Sequence, residues 1–396
     1  MVKNAFSALF FSLLVMILLN QRAYSFDHTL SFQITHYGIN NNSLFGDFKI
    51  EPLQKKIDYQ FNIFEKLNNR VIFNSNLGLL VQKDEECKFE YYLNKAYFTC
   101  YFNDATIIEL GKNNLNFGNS LTEDILHYHQ NIGYTRSKSA YWMVNAKKYF
   151  DNLGMMLLYI PSYQGVLSSE WVNAIDESQT YLMLSYNLFK SDIRALYKVN
   201  KEDPFIAVSL SRAFEKLANT IFYLDTKIIA YDTKYCLGKT NYSGIDYYIK
   251  EIANVKDYFN PFLLGINWQM FSIADCRLEY VRSDYSLSRE EQKVFWENLA
   301  SKELIYRDFD KKNLISTNYL NFNTAFLQVF SKTDMIFNLK YNLDDHSAMT
   351  RLIFTINLDS YPIDLNIAKT FAPSNKSEFG SYPVKSQFSV SLSRFF

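Results

Sequence analysis

Apolar and polar residues alternate along most of this chain after residue 25. In segment 335–342, one set of alternate positions is apolar and the other is mostly polar. The two sets are Met335, Phe337, Leu339 and Tyr341, and Ile336, Asn338, Lys340 and Asn342. Because successive side chains of a β-strand point to opposite faces, this pattern predicts a strand with one apolar and one polar face. Similar alternation marks segments 181–189, 206–212, 318–326, 351–357 and 363–368.

The connections between these segments alternate in length. Short turns are predicted near residues 67–70, 151–152, 190–191, 272–273, 332–333 and 360–362. Long connections are predicted at about 39–55, 117–135, 164–176, 232–259, 285–314 and 372–383. Of about 19 candidate strands, leaving out the weakest, 246–253, places every long connection on one side. The sequence therefore predicts an all-β, transmembrane, antiparallel up-and-down β-barrel of about 18 strands, or 16 as the alternative, with long external loops and short periplasmic turns.

The last segment, 387–396, alternates in the same way and ends on Phe396. Taken alone, it could equally be an edge strand of a soluble β-sandwich. It resembles the closing strand of bacterial outer-membrane barrels, in which the terminal aromatic residue is part of the signal read by the insertion machinery. This resemblance implies that Phe396 is a membrane-insertion signal. Arg394 shares the apolar side of the strand, so we expect it to snorkel at the periplasmic rim.

The N-terminus has the features of a secretory signal. Lys3 precedes an almost continuous apolar stretch, 5–19, which is short for a membrane-spanning helix of about 20 residues. Ala23 and Ser25 supply small residues at the expected cleavage positions. We therefore expect residues 1–25 to be a signal peptide cleaved near Ser25, and residues 26–396 to form one barrel domain in the outer membrane of a Gram-negative bacterium.

Composition supports this interpretation. The chain is 48% hydrophobic and contains 30 Tyr and 34 Phe, which outward apolar bands and aromatic girdles would accommodate. Basic and acidic residues balance at 41 each, so no nucleic-acid partner is indicated. Cys87 and Cys100 are expected to flank one strand and so to lie too far apart to pair. With Cys236 and Cys276, they would form at most one disulfide, of structural importance only.

One long connection is expected to contain a helix. Ser288 to Glu291 resembles a capping box, and Val294, Phe295 and Leu299 follow at helical spacing. Such a helix could fold into the lumen as a constriction, or it could pack on neighbouring loops at the surface.

Nine charged residues are predicted to lie on the inner faces of strands. Six are basic and three are acidic: Glu109, Lys147, Arg194, Lys198, Arg277, Glu279, Lys340, Arg351 and Asp364. Rings of charge select ions in a pore, so these candidate pore-lining residues suggest a slight anion preference. The alternative is that they pair across strands and only stabilise the wall, as Arg277 and Glu279 could do.

Catalytic and metal-binding signals are weak. His127 and His129 form an H-x-H pair in a predicted external loop, where a metal site would need further ligands that the surrounding sequence does not supply. No nucleophile motif surrounds His28, His36 or His346, and no glycine-rich phosphate loop is present. We therefore expect a protein that is not an enzyme and that has no metal and no cofactor.

Several motifs occur in an order that resembles the alginate-export-type porins and related proteobacterial outer-membrane porins of unassigned substrate. The motifs are Leu110-Gly111-Lys112 running on to Phe117-Gly118, the hairpin at 136–161, Leu278-Glu279-Tyr280, the turn at 342–347 and the loop motif at 377–380. The resemblance covers roughly residues 70–396 and implies an outer-membrane barrel that transports a solute. The chain departs from this group in having few glycines and no dense arginine ladder.

These observations favour an outer-membrane channel for passive diffusion of small hydrophilic solutes. Its expected partners are outer-membrane lipid, the barrel-insertion machinery and the solute. The loops at 117–135 and 285–314 are the candidates for a constriction. Three alternatives remain open at this point: a barrel that exports a polysaccharide or another polymer, an outer-membrane lipid hydrolase, and a plugged structural or adhesive barrel.

Overall fold

The computed structural model describes residues 25–41, 52–83, 87–114, 117, 140–162, 178–199, 204–215, 217, 219–229, 232–242, 245–255, 261–270, 273–283, 289–300, 316–330, 332–358, 361–382 and 384–395. The strands are β1 (Ser25–Ile39), β2 (Leu53–Asn68), β3 (Val71–Lys83), β4 (Cys87–Asn103), β5 (Thr106–Asn114), β6 (Ala140–Phe150), β7 (Leu153–Ile160), β8 (Gln179–Leu188), β9 (Ser191–Lys198), β10 (Phe205–Phe214), β11 (Thr220–Ile229), β12 (Asp232–Tyr242), β13 (Ile245–Val255), β14 (Phe262–Met270), β15 (Ala274–Arg282), β16 (Asn318–Phe330), β17 (Thr333–Asn342), β18 (Ala348–Leu358), β19 (Tyr361–Phe371) and β20 (Val384–Phe395). A helix, α1, is Arg289–Ala300.

Eighteen of these strands form one closed antiparallel sheet. Each strand pairs with its neighbours in the chain, and β1 closes the barrel by pairing with both β2 and β20. At the closure, Phe32 lies opposite Leu392 and Ile34 lies opposite Val390. The predicted up-and-down barrel of 18 strands, closed by the last strand against the first, is therefore confirmed.

The candidate that was left out of the strand count, 246–253, is a strand, but it does not belong to the barrel. It falls within β13, which pairs with β12 as a separate two-stranded sheet. The barrel instead continues from β11 directly to β14. The hairpin is thus an insertion in one long connection, and this explains why leaving it out preserved the alternation of short and long connections.

The two ends of the barrel differ in their connections. One end, here called the turn end, carries the short turns, among them those that join β2 to β3, β6 to β7 and β8 to β9. The start of β1 and the end of β20 lie at the same end. The opposite end, here called the loop end, carries every long connection. At the tip of the β8–β9 turn, both Phe189 and Lys190 have positive φ angles (46° and 66°), a combination that matches the twist of a tight hairpin.

The barrel wall has an apolar outer face and a mainly polar inner face. On β1, the outward Phe32 and Ile34 are about half exposed (49% and 52%), whereas the inward Thr35 is 5% exposed. On β20, outward Phe388 is 47% exposed and inward Ser389 is 2% exposed. The alternation of apolar and polar residues in the sequence therefore predicts which side chains face outward and which face inward.

Helix α1 forms where the sequence predicted a helix. Of the residues noted at helical spacing, Phe295 is buried and Val294 is exposed, and Gln292 and Trp296 are buried beside Phe295. The three buried positions follow the i, i+3, i+4 spacing of a single helix face. None of the helices that the structure describes is long and apolar enough to cross a membrane.

Some of the sequence-based predictions fall outside the described residues. These are the signal segment up to residue 24, the loop at 118–135 with His127 and His129, and Phe396. Cys87 and Cys100 lie near opposite ends of β4, as expected. Among the cysteine side chains that are described, Cys100 and Cys276 are free thiols.

Candidate functional site on the inner wall

All nine predicted charged residues lie on inward faces of the barrel strands. The cross-strand register links them in rows: Glu279 lies opposite Asn321, which in turn lies opposite Lys340. Asp364 lies opposite Ser391 on β20. On strands such as β6 and β9, the opposite face carries exposed apolar residues, so the charged side chains point away from the outer surface.

The inward charges of β5 and β6 form an ion pair. Lys147 Nζ lies 2.9 Å from Glu109 Oε1, and Asn145 Nδ2 donates to Glu109 Oε2 at 2.9 Å. Both charged side chains are partly exposed (26% and 15%). Because the carboxylate is satisfied on both oxygens, this pair stabilises the wall while it keeps contact with solvent.

The charges of β9 sit beside aromatic and acidic partners. Arg194 pairs with Asp192, two residues earlier on the same inward face. Lys198 is buried, with Nζ 6.0 Å from the centroid of the Phe205 ring on β10. Lys227 of β11 approaches the same ring at 4.0 Å, so two ammonium groups lie near one aromatic ring.

A buried carboxylate lies at the centre of a second group. Tyr223 Oη donates to Glu279 Oε1 at 2.6 Å, and Arg277 Nη1 lies 3.7 Å from the same oxygen. The Tyr223 ring crosses β14 at Gly265, where a Cβ atom would come within 2.0 Å of Tyr223 Cζ. Arg277 also lies over the Tyr223 ring, 5.5 Å from its centroid. Arg277 and Glu279 therefore do pair, with Tyr223 as a third member.

The remaining predicted charges are each held by a neighbouring strand. Lys340 Nζ lies 4.7 Å above the Tyr319 ring, and Arg351 Nε donates to Asn366 Oδ1 at 3.0 Å. Asp364 Oδ1 accepts from Thr355 Oγ1 at 2.7 Å. The nine residues thus form several local groups around the barrel rather than one continuous ring.

Besides Asp192, sequence reasoning missed at least three charged groups on the inside of the described barrel. Asp225 and Lys227 are almost fully buried on β11, and Glu378 is brought in by the β19–β20 loop. The first two share the parity of Tyr223 in an alternating strand, and this signal could have identified them. Glu378 carried no such signal, because its position depends on contacts with residues distant in sequence.

One part of the inner wall is apolar. The inward residues of β6 to β10 form a buried cluster: Tyr141, Met143, Met156, Leu158, Ile160, Tyr181, Leu196, Phe205 and Ala207. Phe117, which follows β5, joins this cluster and lies 5.5 Å from Tyr181 between ring centroids. The β5–β6 connection therefore begins by packing against the inside of the wall, where the sequence predicted a constriction loop.

Two histidines have side chains that the structure describes, and neither stands beside a catalytic or metal-binding group. His346 Nδ1 is 3.0 Å from Tyr341 Oη in the turn between β17 and β18. His36 lies on the outward row of β1, opposite Phe388. Within the part of the chain that the structure describes, no group of three or more His, Cys, Asp or Glu side chains is arranged to hold a metal ion.

Comparison with known proteins gives matches in structure only. No protein-family model and no curated protein matches this chain. Pseudomonas aeruginosa OccK11 (OpdR) is 7% identical with a TM-score of 0.53, and the match covers 94% of this chain and 96% of that one. Acinetobacter baumannii OccAB3 is 11% identical with a TM-score of 0.53, covering 94% and 99%. Pseudomonas aeruginosa OpdK, solved with vanillate, is 7% identical with a TM-score of 0.52, covering 94% and 98%. At these identities the similarity establishes the barrel fold.

Proposed function

We propose that this protein is an outer-membrane, porin-like channel through which small hydrophilic solutes diffuse down their gradients. The observation that carries the proposal is the distribution of side chains on a closed sheet. Apolar rows such as Phe32, Ile34 and Leu392 face outward, and rows of Ser, Thr, Asn and Gln face inward. A soluble barrel would bury its apolar side chains inside, so the outward rows fit a hydrocarbon environment.

The ends of the strands support insertion in a bilayer. Exposed aromatic residues lie at both ends of the barrel. Phe102, Phe150 and Phe330 are at the turn end, and Tyr159 and Phe371 are at the loop end. Aromatic girdles at both interfaces are a feature of outer-membrane barrels. In the proposed orientation the turn end faces the periplasm and the loop end faces the exterior. At the turn end, Arg394 lies over the Tyr361 ring at 5.3 Å, a position from which its guanidinium can reach headgroups.

The barrels of OccK11 and OccAB3 match this chain over almost its whole length, and this likeness gives further support for the barrel on which the proposal rests. An 18-stranded barrel is also wide enough to enclose an aqueous lumen. The proposed route of assembly is export with cleavage near Ser25, followed by insertion through the closing strand and Phe396.

Small solutes are favoured over polymers because an aromatic residue from each of two connections lies inside the barrel. Phe117 from the β5–β6 connection and Phe379 from the β19–β20 loop are both buried against the inner wall. The narrower resemblance to alginate-export-type porins therefore remains a prediction from sequence motifs. The fold match to OpdK, solved with vanillate, is compatible with a solute of small size.

A slight anion preference belongs to the same proposal. Of the nine predicted lumen charges, Lys147, Arg194 and Arg277 are each paired with a carboxylate. Asp225 and Glu378 outnumber Lys227, the one base among the three further inward groups named above, so together they offset part of the basic excess that the sequence suggested. The expected preference is therefore small.

A liposome-swelling experiment tests the proposal. Purified protein is reconstituted into liposomes, which are diluted into isotonic solutions of sugars and amino acids of increasing size. Faster swelling with the smaller solutes supports diffusion through a channel of limited width. Membrane-inserted protein that gives no swelling above that of protein-free liposomes would favour the plugged structural barrel instead.

A further inference from the structure

The last loop of the barrel, residues 372–382, is compact because it is bonded internally. Ser377 Oγ donates to the Ser374 carbonyl at 2.7 Å, and Gly380 N donates to Ser377 Oγ at 3.2 Å. Ser381 N donates to the Ser377 carbonyl at 3.0 Å. A Cβ atom at Gly380 would come within 2.1 Å of the Ser374 carbonyl oxygen. The loop therefore holds one shape, and that shape requires glycine at 380.

Hydrogen bonds also fix this loop to the barrel on two sides. On one side the donor is the side chain that follows β1, and on the other the acceptors belong to the turn after β17. The contacts are Asn40 Nδ2 to the Gly380 and Tyr382 carbonyls (2.9 and 2.8 Å), Glu378 N to Asp345 Oδ2 (2.6 Å) and Phe379 N to Ser347 Oγ (3.3 Å). The loop thus bridges strands on either side of the hairpin from which it emerges.

The Glu378 side chain reaches into the barrel and meets two buried donors. Tyr319 Oη donates to Glu378 Oε2 at 2.5 Å, and Asn342 Nδ2 donates to the same oxygen at 3.1 Å. Tyr319 and Asn342 are fully buried, and Glu378 is 5% exposed. Hydrogen bonds to an ionised carboxylate are stronger than those between neutral groups. Removing the Glu378 carboxylate would deprive two buried donors of this acceptor, which is costly.

Phe379 occupies the space next to this contact. Its ring is buried in one cluster with Tyr223, Leu263, Val281 and Tyr319, which lie on the inward faces of four successive barrel strands. The loop therefore contributes both a carboxylate and an aromatic ring to the interior, at the loop end of the barrel.

The same contact links the last loop to the connection that contains α1. Asn342 Nδ2 lies 2.6 Å from Ser316 Oγ, and Ser316 Oγ donates to Gln292 Oε1 on α1 at 3.3 Å. Gln292, Ser316 and Asn342 are all buried. The two loops are thus joined through one asparagine on the inner wall.

We propose that Glu378, through Tyr319 and Asn342, latches the loop 372–382 inside the barrel mouth, and that the latched Phe379 limits the cross-section available to a solute. Glu378 is here a positioning residue: it holds the loop in place and does not itself select the solute. The second part of this inference rests on the proposed channel function, whereas the latch itself does not.

Limited proteolysis tests the latch without any reference to transport. Trypsin can cleave after Lys376, an exposed residue of the loop, but only when the loop leaves its bonded shape. Glu378→Ala is expected to speed cleavage at this bond by on the order of tenfold, because the loop opens more often. Glu378→Gln keeps an oxygen acceptor and is expected to fall between Glu378→Ala and the wild type. Asn375→Ala, in the same loop with an exposed side chain, is the matched control and should cleave at the wild-type rate.

Single-channel recording then tests the constriction. Glu378→Ala and Phe379→Ala are each expected to raise conductance by on the order of twofold, while Asn375→Ala leaves it unchanged. Heat-modifiable migration on gels verifies that each variant forms the barrel. Cleavage of Glu378→Ala at the wild-type rate would overturn the latch, and faster cleavage with unchanged conductance would overturn the constriction. A wild-type protein that conducts no current would refute the proposed channel and leave the proteolysis result to decide the latch.

Discussion

The Tyr223 hydroxyl donates a 2.6 Å hydrogen bond to Glu279 across an intervening strand. The two residues lie on β11 and β15, and the ring of Tyr223 spans β14 at Gly265. Arg277 lies 3.7 Å from the same carboxylate oxygen. Burial of a carboxylate is costly unless it is both paired and hydrogen-bonded, and this arrangement supplies both.

Replacing Tyr223 by Phe is expected to destabilise the barrel by about 1.5–3 kcal/mol, because a buried carboxylate loses a charge-assisted bond. The matched control is Tyr280→Phe, which removes a hydroxyl bonded to the neutral amide of Asn318 at 2.7 Å. Its expected cost is about 0.5–1.5 kcal/mol. Urea unfolding in detergent or lipid, followed by tryptophan fluorescence, measures both. Equal costs for the two variants would show that the charge on Glu279 is unimportant to this contact.

Gly265→Ala is expected to force the Tyr223 ring out of its place, since the new Cβ would overlap it. We expect this variant to lose at least as much stability as Tyr223→Phe. In a Tyr223→Ala background, Gly265→Ala should cost far less, because the ring is gone. A double-mutant cycle measures this coupling, and additive costs would contradict the proposed close approach.

The barrel could be predicted from sequence because its strands obey a short-range rule. Alternation over a few residues identified the outward row of Met335, Phe337 and Leu339, and the register on β16 and β18 follows from it. The hairpin β12–β13 was predicted only in part: 246–253 was a weak candidate strand, whereas β12 was placed within a long connection. The side on which the long connections fall separated 246–253 from the barrel strands.

The interior contacts of the loops could not be predicted in this way. Glu378 and Tyr319 are 59 positions apart, and Phe117, which follows β5, packs against Tyr181 of β8. Neither contact leaves a periodic trace in the sequence. The inward charges on β11 are different. Tyr223, Asp225 and Lys227 occupy alternate positions of one strand, so the sequence pattern was sufficient to predict that Asp225 and Lys227 face inward.

The outward face is expected to reject charge, and the inward face to tolerate it. Ile34→Arg, on the exposed apolar row of β1, should cost about 2–4 kcal/mol if the residue lies near the bilayer midplane. Gln33→Arg, its inward neighbour, is the control and should have little effect. Folding yield into lipid vesicles and unfolding free energy measure the difference. Similar tolerance at the two positions would be inconsistent with an outer face in hydrocarbon.

Charge selectivity should depend on inward charged residues and not on outward ones. Arg351→Gln is expected to lower the chloride-to-potassium permeability ratio, because its guanidinium lies on the inner wall beside Asn366. Arg212→Gln is the matched control, since Arg212 lies on the outward row of β10, over the Phe214 ring. Reversal potentials in a potassium chloride gradient measure both. A shift for Arg212→Gln, or none for Arg351→Gln, would contradict the placement of Arg351 at the solute path.

Ion conductance in planar lipid bilayers tests the central claim most directly. The purified full-length mature protein is added to a bilayer under an applied voltage, and insertion is verified separately by protection from protease. An aqueous lumen predicts discrete upward steps of current, with a conductance that rises with salt concentration. Verified insertion of the barrel without any current would contradict a channel and leave a closed, structural barrel.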